Sequence, residues 1–178
     1  MTLNNTFTKG DWIVHHKYGI GRIRRTEKKV LAEKKAEYFR VETEKSVFWV
    51  PVEEKNNGRI RPLSSPSQLR EALNSLKKPA RKMASNYKQR RQMIQEAISN
   101  NSLLMRCKLL RDLSALQETK PLSMGEKQVL ELFQNLLLQE WSLCANLPIK
   151  ELRCQFQQLL GKGQAQILSK EMSSRPGN

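Results

Sequence analysis

The sequence predicts an α+β chain: a small, strongly bent β-barrel at the N-terminus, followed by an all-α domain. Three observations carry that expectation. Between Phe7 and Leu63, short runs of apolar and β-branched residues alternate with polar ones and are punctuated by glycine. At Leu63-Ser64-Ser65-Pro66-Ser67 the composition changes. Beyond that point Leu, Gln, Lys and Arg dominate, and apolar residues recur at helical spacing.

The β elements come first. Trp12 and Val14 alternate with Asp11, Ile13 and His15, a period of two. Lys17-Tyr18-Gly19 reads as a turn, and Gly19 and Gly21 supply positions where the backbone can bend or take positive φ. Ile20 and Ile23 then alternate loosely with Arg22 and Arg24. Tyr38 to Thr43 and Val47 to Val52 are two further strands, joined by Glu44-Lys45-Ser46, short enough for a hairpin. The charged segment from Val30 to Ala36 reads as a loop or frayed hairpin tip. Asn56-Asn57-Gly58 is a late turn, and Ile60 and Leu63 form a last short strand whose pairing Pro62 and Pro66 limit.

In the second half, Ser67 is expected to cap a short helix carrying Leu69, Leu73 and Leu76. A helix from about Ala80 to Ile98 follows, ending at Ser99-Asn100-Asn101. Ser102 caps the next, with Leu103, Cys107, Leu110 and Leu113 on one stripe and Arg106, Lys108 and Arg111 elsewhere. Ser123 and Glu126 form a capping box before the most apolar helix, which holds Phe133, Leu136, Leu137, Trp141 and Cys144. A last helix spans Ile149 to Leu160, with Gly161-Lys162-Gly163 as its stop. The expected organisation is a β domain over 1–64, a helical domain over 65–161 and a flexible tail over 162–178.

The net charge is +15, from 32 basic and 17 acidic residues, which favours a polyanionic partner, nucleic acid before membrane. No run approaches the ~18 apolar residues of a spanning helix, and no signal peptide is visible. The three cysteines lack metal or disulfide spacing and read as buried, reduced thiols of a cytoplasmic protein. Catalysis is not expected. The two histidines, His15 and His16, are adjacent and point to opposite faces of a strand. No nucleophile elbow or phosphate loop is present, so we expect no catalytic residue, metal, cofactor or small-molecule substrate.

One constellation is specific. The string Gly10, Asp11, His15, Gly19, Gly21, Arg22, then Glu37-Tyr38, then Val50-Pro51, resembles the polymerase-interacting domain shared by CarD/CdnL-type transcription regulators and the transcription-repair coupling factor. Tyr87-Lys88 and Leu122-Ser123-Met124-Gly125-Glu126-Lys127 resemble the helical C-terminal domain of the CarD-type regulators. The likeness covers about residues 7 to 160, and the missing phosphate loop favours the free-standing regulator over the motor. The resemblance implies a Tudor-like or SH3-like barrel that binds the RNA polymerase β subunit by strand addition, and a helical domain that touches promoter DNA.

By that resemblance, Lys29 and Trp49 fall where relatives carry polymerase-contacting cations, with Phe39 and Arg40 as flanking residues. Trp49 in place of a cation implies a more apolar contact. Lys77 to Gln95 holds Lys77, Lys78, Arg81, Lys82, Lys88, Arg90 and Arg91 without an acid, so Arg81, Lys82, Lys88, Arg90 and Arg91 are expected to meet phosphates. Met83 falls where the family commonly carries a tryptophan that wedges into the minor groove, four residues before the tyrosine. Tyr87 itself is expected to pack inward with Ile94 and Ile98. Two other readings stay open: a Tudor-like or SH3-like nucleic-acid-binding module without polymerase contact, and a protein-interaction scaffold.

Overall fold

The structure is a computed structural model. It describes residues 7–31, 34–53 and 58–173, with side chains given over the same residues except 31, 34 and 162–173. It divides into two compact units, Met1–Leu63 with Ile98–Asn101, and Ser64–Ala97 with Ser102–Asn178.

The first unit is an antiparallel five-stranded sheet. Its strands are β1 (Trp12–His15), β2 (Gly19–Leu31), β3 (Lys34–Glu42), β4 (Val47–Pro51) and β5 (Ile60–Pro62), in the order β4-β3-β2-β1-β5. The turn after β1 pairs His15 with Gly19, whose φ of 81° only glycine takes cheaply. Gly21 is needed for space: a Cβ there would sit 2.6 Å from Val41 Cγ1 and 3.0 Å from the Glu42 carbonyl oxygen. A register shift between Ile23 and Arg25 bends β2. The period-two pattern then buries Phe7, Ile13, Ile23, Phe39, Val41, Phe48, Val50 and Ile60 as one core. Each large apolar side chain fully buried here contributes about 1.5–3 kcal/mol.

One sequence expectation changes. β2 and β3 stay paired as far as Leu31 and Lys34, so the described residues of 30–36 are paired strand at the end of a hairpin rather than a loop or a frayed tip. Long, charged stems are well tolerated in a ribbon whose faces meet water. The Asn56-Asn57 part of the late turn lies outside the described residues. The Glu44-Lys45-Ser46 hairpin forms as expected, with Thr43 Oγ1 accepting from the Lys45 and Ser46 amides.

Asn101 completes this unit, although the sequence marks it only as a helix break. It takes a left-handed φ of 53°, which asparagine tolerates well. Its buried carboxamide donates to the carbonyls of Val14 and Arg59, and its own carbonyl accepts from Arg61 Nε.

The second unit holds α1 (Pro66–Leu76), α2 (Tyr87–Asn100, whose last residues count with the first unit), α3 (Leu103–Thr119), α4 (Met124–Ala145) and α5 (Ile149–Ser173). The α1 cap is Ser65, not Ser67, because Pro66 takes the first helical position and Gln68 returns to the Ser65 amide. The Ser102 cap and the Ser123–Glu126 capping box are in place. Asn146 in the left-handed region closes α4 before Pro148.

Helix α5 runs through Gly161-Lys162-Gly163 to Ser173, so those glycines do not stop it. Neither takes a positive φ, and helical glycine costs only about 1 kcal/mol. Leu103, Cys107, Leu110, Leu113, Phe133, Leu137 and Leu138 form the buried spine. Arg106 and Arg111, expected outside, are buried too; the Arg106 guanidinium lies over the Phe133 ring. Of the cysteines only Cys107 is buried, Cys144 being intermediate and Cys154 exposed, and none of the three is in a disulfide.

Candidate functional site

On the first unit, β4 is an edge strand that, among the described residues, pairs with β3 alone. Pro51 ends it without an N–H to offer. Period two sends Phe48 and Val50 into the core and turns Trp49 outward. Trp49 is not bare, however. Lys29 Nζ stands 3.3 Å from the centre of its ring, and its indole N–H donates to Glu27, which also takes Arg25 Nε at 2.8 Å. These donors hold the Glu27 carboxyl below the usual carboxylate range, the Trp49 bond first and Arg25 second.

The surroundings of Trp49 are therefore a mixed acid, cation and aromatic cluster and not an apolar patch. Arg40, directly across from Trp49, is half-buried and paired with Glu42. Phe39 is 4% exposed and belongs to the barrel core, because its neighbours Tyr38 and Arg40 occupy the opposite face. It cannot flank an external contact as expected.

At the other end of β1, His15 is buried beside Phe48, at 5.4 Å between ring centres. Its Nδ1 accepts from the Lys17 and Tyr18 amides at 3.0 and 3.1 Å. Burial chiefly, then the charges of His16, Arg59 and Lys17, pushes its pKa down from 6.5 to about 4. His15 shapes the β1–β2 turn.

In the second unit, residues 77–86 are not helical, although the sequence suggests a helix from Ala80. Side chains from elsewhere take up their backbone groups, and the helical ladder is forgone. Asp112 accepts from the Arg81 amide at 2.9 Å, and Arg111 donates to both Asp112 and the Ser75 carbonyl. Arg90 donates to the carbonyls of Ala84 and Ser85 while its Nε meets Glu126 at 2.5 Å. Asn86 Oδ1 accepts from the Lys88 amide and starts α2.

The Arg90–Glu126 pair is buried, with side chains 8% and 2% exposed. Burial pushes the Glu126 carboxyl up; the Arg90 guanidinium and the Ser123 donors outweigh it and leave it below its ordinary range.

This tether fixes which groups of the basic segment face out. Arg81, Lys82, Lys88 and Arg91 are exposed. Arg90 is not, so it leaves the set of expected phosphate contacts. Among the described residues, no group of three or more His, Cys, Asp or Glu side chains could hold a metal ion, and no helix is long and apolar enough to cross a membrane.

The comparisons with known proteins fall on these two units. The family model described as CarD-like/TRCF RID domain matches residues 7–64, and that described as CarD, C-terminal domain, matches 71–156. The chain belongs to the CarD family. The two domains mark an RNA-polymerase-interacting transcription factor, and CarD-like families are non-enzymatic. The barrel is of the Tudor-like kind. A search of curated proteins returned no match.

In this CarD-family chain, Met83 stands at the tryptophan position of the resemblance but is 7% exposed. The wedge expectation for Met83 is corrected: the bonds to Arg81, Ala84 and Ser85 on either side fix the loop with that side chain inward. Tyr87 departs in the other direction. Expected in the core, it is 49% exposed. Helical period alone would not have shown it, since Tyr87 lies about 20° from the buried Ile94 around the helix.

Proposed function

We propose that this protein binds the RNA polymerase β subunit through the edge strand β4 and the Lys29, Arg40 and Trp49 side chains, and contacts promoter DNA through Arg81, Lys82, Lys88 and Arg91. The observation that carries the reading is a segment, 77–95, with no acidic residue of its own and with Arg81, Lys82, Lys88 and Arg91 exposed, in a chain whose other domain is of the polymerase-interacting kind. Strand addition supplies main-chain hydrogen bonds, and the Trp49 cluster gives them a fixed flank. Phosphate contacts release counterions, so DNA affinity should fall steeply with salt.

The protein then acts by differential affinity rather than catalysis. If it binds the open promoter complex better than the closed one, about 1.4 kcal/mol of difference shifts the ratio tenfold. Purified protein should lengthen the lifetime of open complexes on its cognate polymerase. An unchanged lifetime with binding demonstrated rejects the mechanism. Retention on the isolated β lobe, insensitive to nuclease and lost in Trp49→Glu, tests the interface.

A further inference from the structure

Tyr87 is an exposed aromatic ring set in the acid-free basic segment, and the purely electrostatic reading gives it no task. It opens α2, directly after the tethered loop. With 100° per residue, Tyr87, Arg91, Gln95 and Lys88 fall within about 100° of one another on one flank of the helix. All four are exposed. Glu96, the first acid after the basic run, lies on the opposite side from Tyr87 and is engaged by Gln92 at 3.1 Å. Arg90, beneath the ring with its guanidinium 6.0 Å from the ring centre, is buried and fixed by Glu126. The helix turn that carries the ring is thereby anchored.

We propose that Tyr87 is a nucleobase-stacking residue: its ring packs against an unstacked or distorted base of promoter DNA while Lys88 and Arg91 hold the adjoining phosphates. The inference rests on the DNA-contact reading above and adds a specific contact to it. Charge complementarity selects the occupant, because a cationic flank without an acid fits a polyanion and repels a basic protein surface. The flat ring selects a base face over phosphate alone, since stacking needs a π surface and tolerates any sequence. A half-exposed tyrosine also keeps its hydroxyl in water, so the ring can move onto a base without stranding a buried polar group.

The test uses the full chain, its cognate polymerase and a promoter fragment carrying 5-iodouracil at successive thymine positions. Long-wavelength irradiation should crosslink the protein at Tyr87. Tyr87→Ala should weaken retention on the promoter complex about fivefold or more, and Tyr87→Phe should keep it. Lys88→Glu with Arg91→Glu reports on the electrostatic surface separately. If Tyr87→Ala matches the parent while the charge variant fails, the stacking inference falls and the DNA surface stands. If both variants match the parent, the DNA-contact reading falls with it. If Tyr87→Ala weakens binding to polymerase without DNA by the same factor, the ring lies on protein and the inference is overturned.

Discussion

The two units handle charge in opposite ways. In the first unit the buried polar side chains His15 and Asn101 carry no ion pair, and ion pairs such as Arg24–Glu42 and Arg25–Glu27 stand at the surface. In the helical unit, Arg90, Arg106, Arg111, Asp112, Glu126 and Glu140 are all buried. Surface pairs contribute little, whereas a buried pair is costly to break and fixes its neighbours in one arrangement. The contrast suggests a division of labour. In the barrel the pleat turns Trp49 outward and surface contacts from Lys29 and Glu27 steady it, whereas the basic segment has no regular structure over 77–86 and borrows rigidity from the buried Arg90 and Asp112.

The sharpest way to break this contrast is Arg90→Ala. It leaves Glu126 buried beside an empty site and frees the Ala84 and Ser85 carbonyls. We expect a loss of about 3–5 kcal/mol, read by denaturant unfolding of the helical signal. The companion Arg91→Ala, one residue along but exposed, should change stability by no more than about 0.5 kcal/mol. Equal effects would mean that the buried pair does not organise the loop.

The same contrast explains what could be read in advance. The barrel was legible where turn chemistry is local, as at Gly19 and at Glu44-Lys45-Ser46, but on β1 alternation set Val14 apart from Ile13 and both are buried. Phe39 was misassigned only by placing it with its flanking neighbours rather than by parity. In the helical unit the capping residues Ser102, Ser123 and Glu126 were legible, since caps are local chemistry. Arg90 was not. Nothing within its own segment says that an acid 36 residues away will draw it inward. Once it turns in, Met83 lies in the core and Tyr87 is left outside. Asn101 escaped for the same reason, its partners Val14 and Arg59 being 87 and 42 residues distant.

A smaller effect should come from His15, a titratable group buried in the barrel. His15 has a folded pKa near 4 against 6.5 for the ordinary side chain. The unfolded chain therefore binds the extra proton first as pH falls. Stability should be fully present above about pH 6.5, and about 2–3 kcal/mol of it should be lost as pH drops toward 4. Thermal unfolding followed through the barrel at pH 7, 5.5 and 4.5 checks the slope. His15→Asn, whose side-chain oxygen can accept from the same Lys17 and Tyr18 amides without titrating in this range, should flatten it. A slope that persists in the variant would move its origin to groups outside the core.

The smallest effect is expected at Lys29, where the barrel's surface charge meets Trp49. Lys29→Ala removes the ammonium from the ring and leaves the indole bond to Glu27 intact. At a partly exposed site this contact is worth about 0.5–1 kcal/mol, so the barrel should melt only slightly earlier. Trp49 should become more mobile, which fluorescence anisotropy would detect against the background of Trp12 and Trp141. If polymerase binding weakens more than stability does, Lys29 acts at the interface as well as beneath it. If stability falls by several kcal/mol instead, the barrel's surface charges carry as much weight as the buried pairs of the helical unit, and the contrast between the two units does not hold.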